Sequence, residues 1–184
     1  MVGSLLRFAA AASFPFLLAA CSGSPGVPSS FQGPLPEPII AGTHIEMPDR
    51  PTECVPYARA RSGVDIYGDA GTWWAKAEGV YERNSTPRLG AVIVLTGYAG
   101  PGRGHVGVVT ALLSDREIRI DHANWLDDGA IYVGDPVVDV SADNDWSEVR
   151  VYNPKTGSWG IKTYIVQGFI GPAASTDADR VALN

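Results

Sequence analysis

Of the two cysteines in this 184-residue chain, Cys54 has the setting of a nucleophile. The stretch Thr52-Glu-Cys-Val-Pro-Tyr-Ala-Arg-Ala-Arg61 reads as the start of a helix, with Thr52 as cap, an acidic first turn, Pro56 early enough to be tolerated and arginines late. A thiol in that first turn meets unpaired backbone N–H groups and the positive end of the helix dipole, which favour a thiolate. A lone cysteine can equally be a small core residue, so its partners must decide.

Two histidines supply them. His105 opens the apolar run Gly104-His-Val-Gly-Val-Val109 just after the glycine-rich loop 97–104, where a strand end can present an imidazole to a cleft. In Glu117-Ile-Arg-Ile-Asp-His-Ala-Asn-Trp125, alternation puts Ile118, Ile120, His122 and Asn124 on one face and Glu117, Arg119 and Asp121 on the other. Turning His122 and Asn124 inward costs about 1–3 kcal/mol each unless they find partners. The set is a thiol, a base and an orienting polar group, which is what a cysteine hydrolase needs. His105 would take the thiol proton and return it to the leaving amine, with His122 or Asn124 fixing its tautomer. The first helical N–H groups would stabilise the oxyanion. Zinc ligation by Cys54, His105 and His122 is the competing chemistry, but no Cys-x-x-Cys or His-Glu-x-x-His pair supports it. No metal or other cofactor is expected.

The elements that must position these groups follow from the patterning. A helix over 52–62 is ended by Gly63, and a second short helix lies within 69–79. Strands are predicted at 91–96, 105–113 and 117–124, forming an antiparallel meander, and then at 130–133, 137–140, 149–152 and 164–170. Two helices followed by a run of strands predict an α+β domain, with short N-terminal helices packed on an antiparallel sheet. Trp73, Trp74 and Trp125 could line a groove or fill the core, and Tyr57, one turn after Cys54, could reach the site or pack the helix.

Glu53-Cys-Val-Pro-Tyr-Ala-Arg59, the Thr72-Trp-Trp pair, Gly90-Ala-Val, Gly104-His-Val and His122-Ala-Asn-Trp125 occur in the order found in CHAP domains, and residues 50–172 resemble that family. The resemblance implies a papain-like fold and a peptidoglycan amidase or endopeptidase working through a thioester. It places the nucleophile at Cys54 and the base at His105. Many CHAP domains carry Glu and Asn where this chain has His122 and Asn124. The related NlpC-type peptidases use a histidine there, which favours His122. Tyr57, Trp74 and Trp125 are the substrate-binding candidates, and peptidoglycan peptides are the implied partner.

Residues 5–20 form an apolar stretch behind Arg7, too short and too interrupted by Pro15 to span a bilayer comfortably, and they read as an export signal over 1–20. The stretch ends in Leu18-Ala-Ala-Cys21, which resembles a bacterial lipobox. That implies a diacylglycerol on Cys21, membrane attachment and, with Ser22 next, an outer-membrane address facing the periplasm if the cell is Gram-negative. Residues 21–50, dense in Pro, Gly and Ser, read as a tether, 51–172 as the folded domain and 173–184 as a disordered polar tail. A net charge of −6 without a Lys/Arg cluster argues against nucleic acid as a partner. A non-catalytic lipoprotein that binds cell-wall peptides or an envelope partner through the same groove is the alternative reading.

Overall fold

The computed structural model describes residue 31 and residues 33–171, so Cys21, the export signal and the C-terminal tail lie outside the described residues. Strand β1 (His44–Glu46) precedes helix α1 (Cys54–Ser62), a 3₁₀ turn (Ala70–Thr72) and the single-turn helix α2 (Trp73–Lys76). Strands β2 (Arg83–Asn84), β3 (Val92–Thr96), β4 (Gly104–Leu112), β5 (Glu117–Ala123), β6 (Ile131–Asp139), β7 (Glu148–Asn153), β8 (Ser158–Trp159) and β9 (Tyr164–Ile170) follow. Glu53, rather than Thr52, holds the N-cap position of α1, without a side-chain cap bond. Gly63 ends the helix in the left-handed conformation (φ 72°), its N–H bonding the Arg59 carbonyl. Among the described residues no helix is long and apolar enough to cross a membrane.

The expected α+β, papain-like layout is corrected by the way the strands pair. The sheet order runs β6-β5-β4-β3-β9-β7, and β7 then pairs back onto β6, closing a six-stranded antiparallel barrel. The described residues are mostly β, with two short helices among them that lie outside the barrel rather than forming a helical layer. Closure depends on β3–β9 and β6–β7 pairings between segments distant in sequence, which local periodicity does not encode.

β3 and β4 are buried on both faces. Ile93, Leu95 and Val109 point into the barrel with Ile118, Ile120, Tyr132, Val137, Val151 and Phe169. Val92, Val94, Val106 and Val108 point outward under Ala58 of α1, Val64, Ile66 and Trp73. That is why these strands read as unbroken apolar runs. His105 lies opposite Leu95 on β3, and His122 lies opposite Gly107 on β4. Gly107 leaves room there, since a Cβ at that position would stand 2.8 Å from Ile120 Cδ1 and 3.3 Å from His122 Cβ.

β6 is continuous where two strands were expected, because Gly134-Asp135-Pro136, which reads as a turn, is instead a bulge. Ile120 pairs with Asp135 but His122 pairs with Tyr132, so β6 carries one more residue than β5 between these pairs. Gly134 takes φ 60° at the bulge and donates its N–H to Asp121 Oδ1 at 2.8 Å. Tyr132 and Asp135, three apart, would face opposite sides of a regular strand. The extra residue turns both into the barrel.

The proline-rich segment before α1 lies along the barrel over its described part. Phe31 N–H donates to the Val140 carbonyl, Ile39 N–H to Glu117 Oε1, and Trp159 Nε1 to the Pro36 carbonyl, while β1 pairs with β6.

Candidate active site

A cleft of about 510 Å³ opens at the end of the barrel between the start of α1, the loop after β3 and the loop after β5. Cys54, the first residue of α1, lines it with His105, Glu53, Tyr98, Arg103, Asn124, Trp125 and Asp127. Burial pushes the Cys54 thiol up, with the Glu53 carboxylate adding to it, while the Val106 and Val55 N–H groups pull the other way. The helix start therefore does not by itself yield the thiolate that the sequence suggested, and Cys54 rests as a thiol.

His105 is buried, its ring 4.8 Å from both the Tyr98 and Trp125 rings. Burial, and after it the neighbouring His122, hold it well below the usual imidazole range, so it rests neutral. Its Nε2 lies 2.9 Å from His122 Nδ1, and His122 Nε2 lies 3.0 Å from Asp135 Oδ2. All three side chains are buried. The line continues the alternation of β4 and β5 into the barrel and ends on the residue that the bulge turns inward.

Asn124 lies just beyond β5, at φ 57°, so the alternation that placed it beside His122 stops one residue short. Its Nδ2 donates to Glu53 Oε2 at 2.8 Å, and its Oδ1 accepts from Gly129 N–H at 2.7 Å. It shapes the wall of the cleft and holds the residue before Cys54. Asp121 faces away, paired with Arg61 Nε at 3.0 Å. Trp125 lines the cleft and packs on both imidazoles, 4.8 Å from His105 and 5.2 Å from His122. Tyr57 and Trp74 lie away from it. Tyr57 neighbours Arg61 and Asp121, and Trp74 packs against Gly168 and under the Arg83 guanidinium. Trp73 is core.

Tyr98 and Asp135 went unread in the sequence. Tyr98 donates to the Asn124 carbonyl at 2.9 Å and also meets that of Trp125, while burial keeps its phenol protonated. Asp135 was hidden in an apparent turn. Among the described residues no cluster of three His, Cys, Asp or Glu side chains is placed to hold a metal ion.

Residues 46–124 match the model of the CHAP domain family, consistent with a CHAP domain protein. CHAP domains are generally hydrolases acting on peptidoglycan, and the match suggests peptidoglycan hydrolase, amidase or peptidase activity in general. The matched stretch contains Cys54, His105, His122 and Asn124 and ends before Asp135. No curated protein matches the chain.

Proposed function

We propose that this protein is a cysteine hydrolase that cleaves an amide of peptidoglycan, either between muramic acid and L-alanine or within the stem or cross-bridge peptides. The observation that carries the reading is the buried 2.9 Å contact between His105 Nε2 and His122 Nδ1 in a cleft that also holds Cys54. With Nε2 engaged, His105 has Nδ1 left to serve the thiol, and His122 orients the ring.

Cys54 Sγ gives its proton to His105 Nδ1 and attacks the carbonyl carbon, forming the C–S bond. Collapse of the tetrahedral species breaks the C–N bond while His105 returns the proton to the amine, leaving a thioester. His105 then takes a proton from water, whose oxygen displaces the thiolate, and the thiolate recovers the proton. The N–H groups at the start of α1, free of a side-chain cap, suit the oxyanion. Residues 1–21 fit export with a lipid on Cys21, placing the enzyme in the envelope beside its polymer.

The test is digestion of purified sacculi and soluble muropeptides by the full-length chain, wild type beside Cys54→Ala, with products identified by mass spectrometry. New fragments from wild type alone are expected, and their masses name the bond. Binding without turnover, unchanged in Cys54→Ala, would replace the enzyme with a binding module. Mass spectrometry of the chain from its host tests the anchor, since an unmodified Cys21 thiol removes it.

A further inference from the structure

A neutral imidazole carries one N–H, so in a line of two imidazoles the group at the far end decides where both protons sit. Here that group is Asp135. An ionised carboxylate only accepts, so His122 must keep its proton on Nε2 and leave Nδ1 bare. His122 Nδ1 can then only accept from His105 Nε2–H, and His105 Nδ1 is left as a lone pair on the side available to Cys54. A donor at position 135 would run the line backwards: His122 Nδ1–H would donate to His105 Nε2, and His105 would present Nδ1–H to the thiol. An imidazole in that form takes no proton.

We propose that Asp135 is a positioning residue of this active site, holding His105 through His122 in the one tautomer that can deprotonate Cys54. The inference rests on the cysteine-hydrolase reading above. Asp135 touches neither the thiol nor the cleft, so its part is exercised wholly through His122. Once His105 is protonated, the carboxylate also opposes the new cation across two hydrogen bonds.

The structure gives Asp135 little other reason to be inside. Its side chain is fully buried and its second oxygen, Oδ1, meets no hydrogen-bond donor among the described residues. A buried carboxylate with one oxygen unmet by a protein donor opposes folding. Burial pushes its carboxyl up, with the His122 N–H alone working against that. A purely structural residue here would be better apolar, and the bulge at Gly134 is what brings the carboxylate in.

The test uses the full-length chain with ¹⁵N-labelled histidine, as wild type, Asp135→Asn and Asp135→Leu. Imidazole ¹⁵N shifts report the tautomers without any substrate, and kcat and KM on soluble muropeptides report the consequence. Wild type is expected to show His105 with a bare Nδ1 and a protonated Nε2. Both variants are expected to move protonation towards His105 Nδ1, Leu the further because it offers no acceptor. They should lower kcat by about 10²- to 10⁴-fold at little change in KM, the upper figure being that of a serine triad whose aspartate is amidated. The thermal stability of Asp135→Asn should hold or rise, where loss of a structural carboxylate would lower it. A wild-type His105 protonated on Nδ1 would falsify the proposal, and so would variants that keep the wild-type tautomers and rate. Because the shifts need no turnover, an inactive wild type would refute the hydrolase reading while the tautomers still decide the role of Asp135.

Discussion

Gly104, one residue before His105, tests whether the site depends on a backbone-to-backbone fit. A Cβ at Gly104 would run into Gly71 N, stand 2.5 Å from Gly71 Cα and 2.8 Å from the Ala70 carbonyl carbon. None of these atoms can swing aside, since they belong to the 3₁₀ turn packed on the start of β4. Overpacking of this kind costs about 1–3 kcal/mol and occasionally more, and three backbone clashes put Gly104→Ala at the upper end. At roughly 3–5 °C per kcal/mol for a domain of this size, its Tm should fall by about 10 °C. Relief of the clash must push the start of β4 outward and His105 with it, and a displacement of about 1 Å at a general base lowers kcat by about 10²-fold. Two glycines give the comparison. Gly102 has φ 78° and nothing within 4 Å, so Gly102→Ala carries only left-handed strain of about 1–2 kcal/mol. Gly71→Ala would meet atoms at 3.1–3.3 Å and should fall between the two. Far-UV circular dichroism melts and muropeptide turnover well below the melting range measure both effects. If Gly104→Ala melts within about 2 °C of wild type, or above Gly102→Ala, the fit does not hold the site.

Two further expectations follow from protonation. The folded chain keeps His105 neutral, while the unfolded imidazole titrates near 6.5, so acid gives the unfolded state a proton that the folded state refuses. His105 therefore contributes no penalty above pH 6.5, and stability should fall as pH drops below it, in a window above the one where Asp65 and Asp128, both held below 3.8, begin to lose theirs. Urea unfolding at several pH values from neutrality to about 5 measures this, and a midpoint that stays level or rises contradicts it. Because the Cys54 thiol is pushed up rather than down, its alkylation by iodoacetamide should still be accelerating above pH 9, followed by mass spectrometry on the Cys54 peptide. A rate plateau below pH 7 would mean that a thiolate–imidazolium pair stands ready at rest.

The parts of the site that lie on regular strands were legible. Period-two alternation put His122 on the interior face with Ile118 and Ile120 and turned Asp121 away, and His105 was readable as a polar residue heading an apolar strand beside a glycine-rich loop. What failed was whatever depends on a break in that period. Asn124 was carried one step past the end of β5, and Asp135 was lost because a glycine and a proline around an aspartate look the same whether they end a strand or kink it. The barrel was missed for another reason. Each strand was found within a residue or two, apart from the split of β6 and the short β1, β2 and β8, but the pairing that joins β7 to β6 is a choice between distant edges that no local window contains.

The bulge at Gly134 is also a phase shift. Everything after it on β6 is read out of step with what comes before, and that includes Val137, which packs in the barrel core opposite Ile118. Straightening the strand between Tyr132 and Pro136 with every residue kept would turn Asp135 outward, but it would also expel Val137 and bring Pro136 and Val138 in. Burying a valine contributes about 1.5–3 kcal/mol, so the register that seats this hydrophobe seats the carboxylate with it. Apolar neighbours with no part in the chemistry thus hold a charged group where its own solvation would not let it stay.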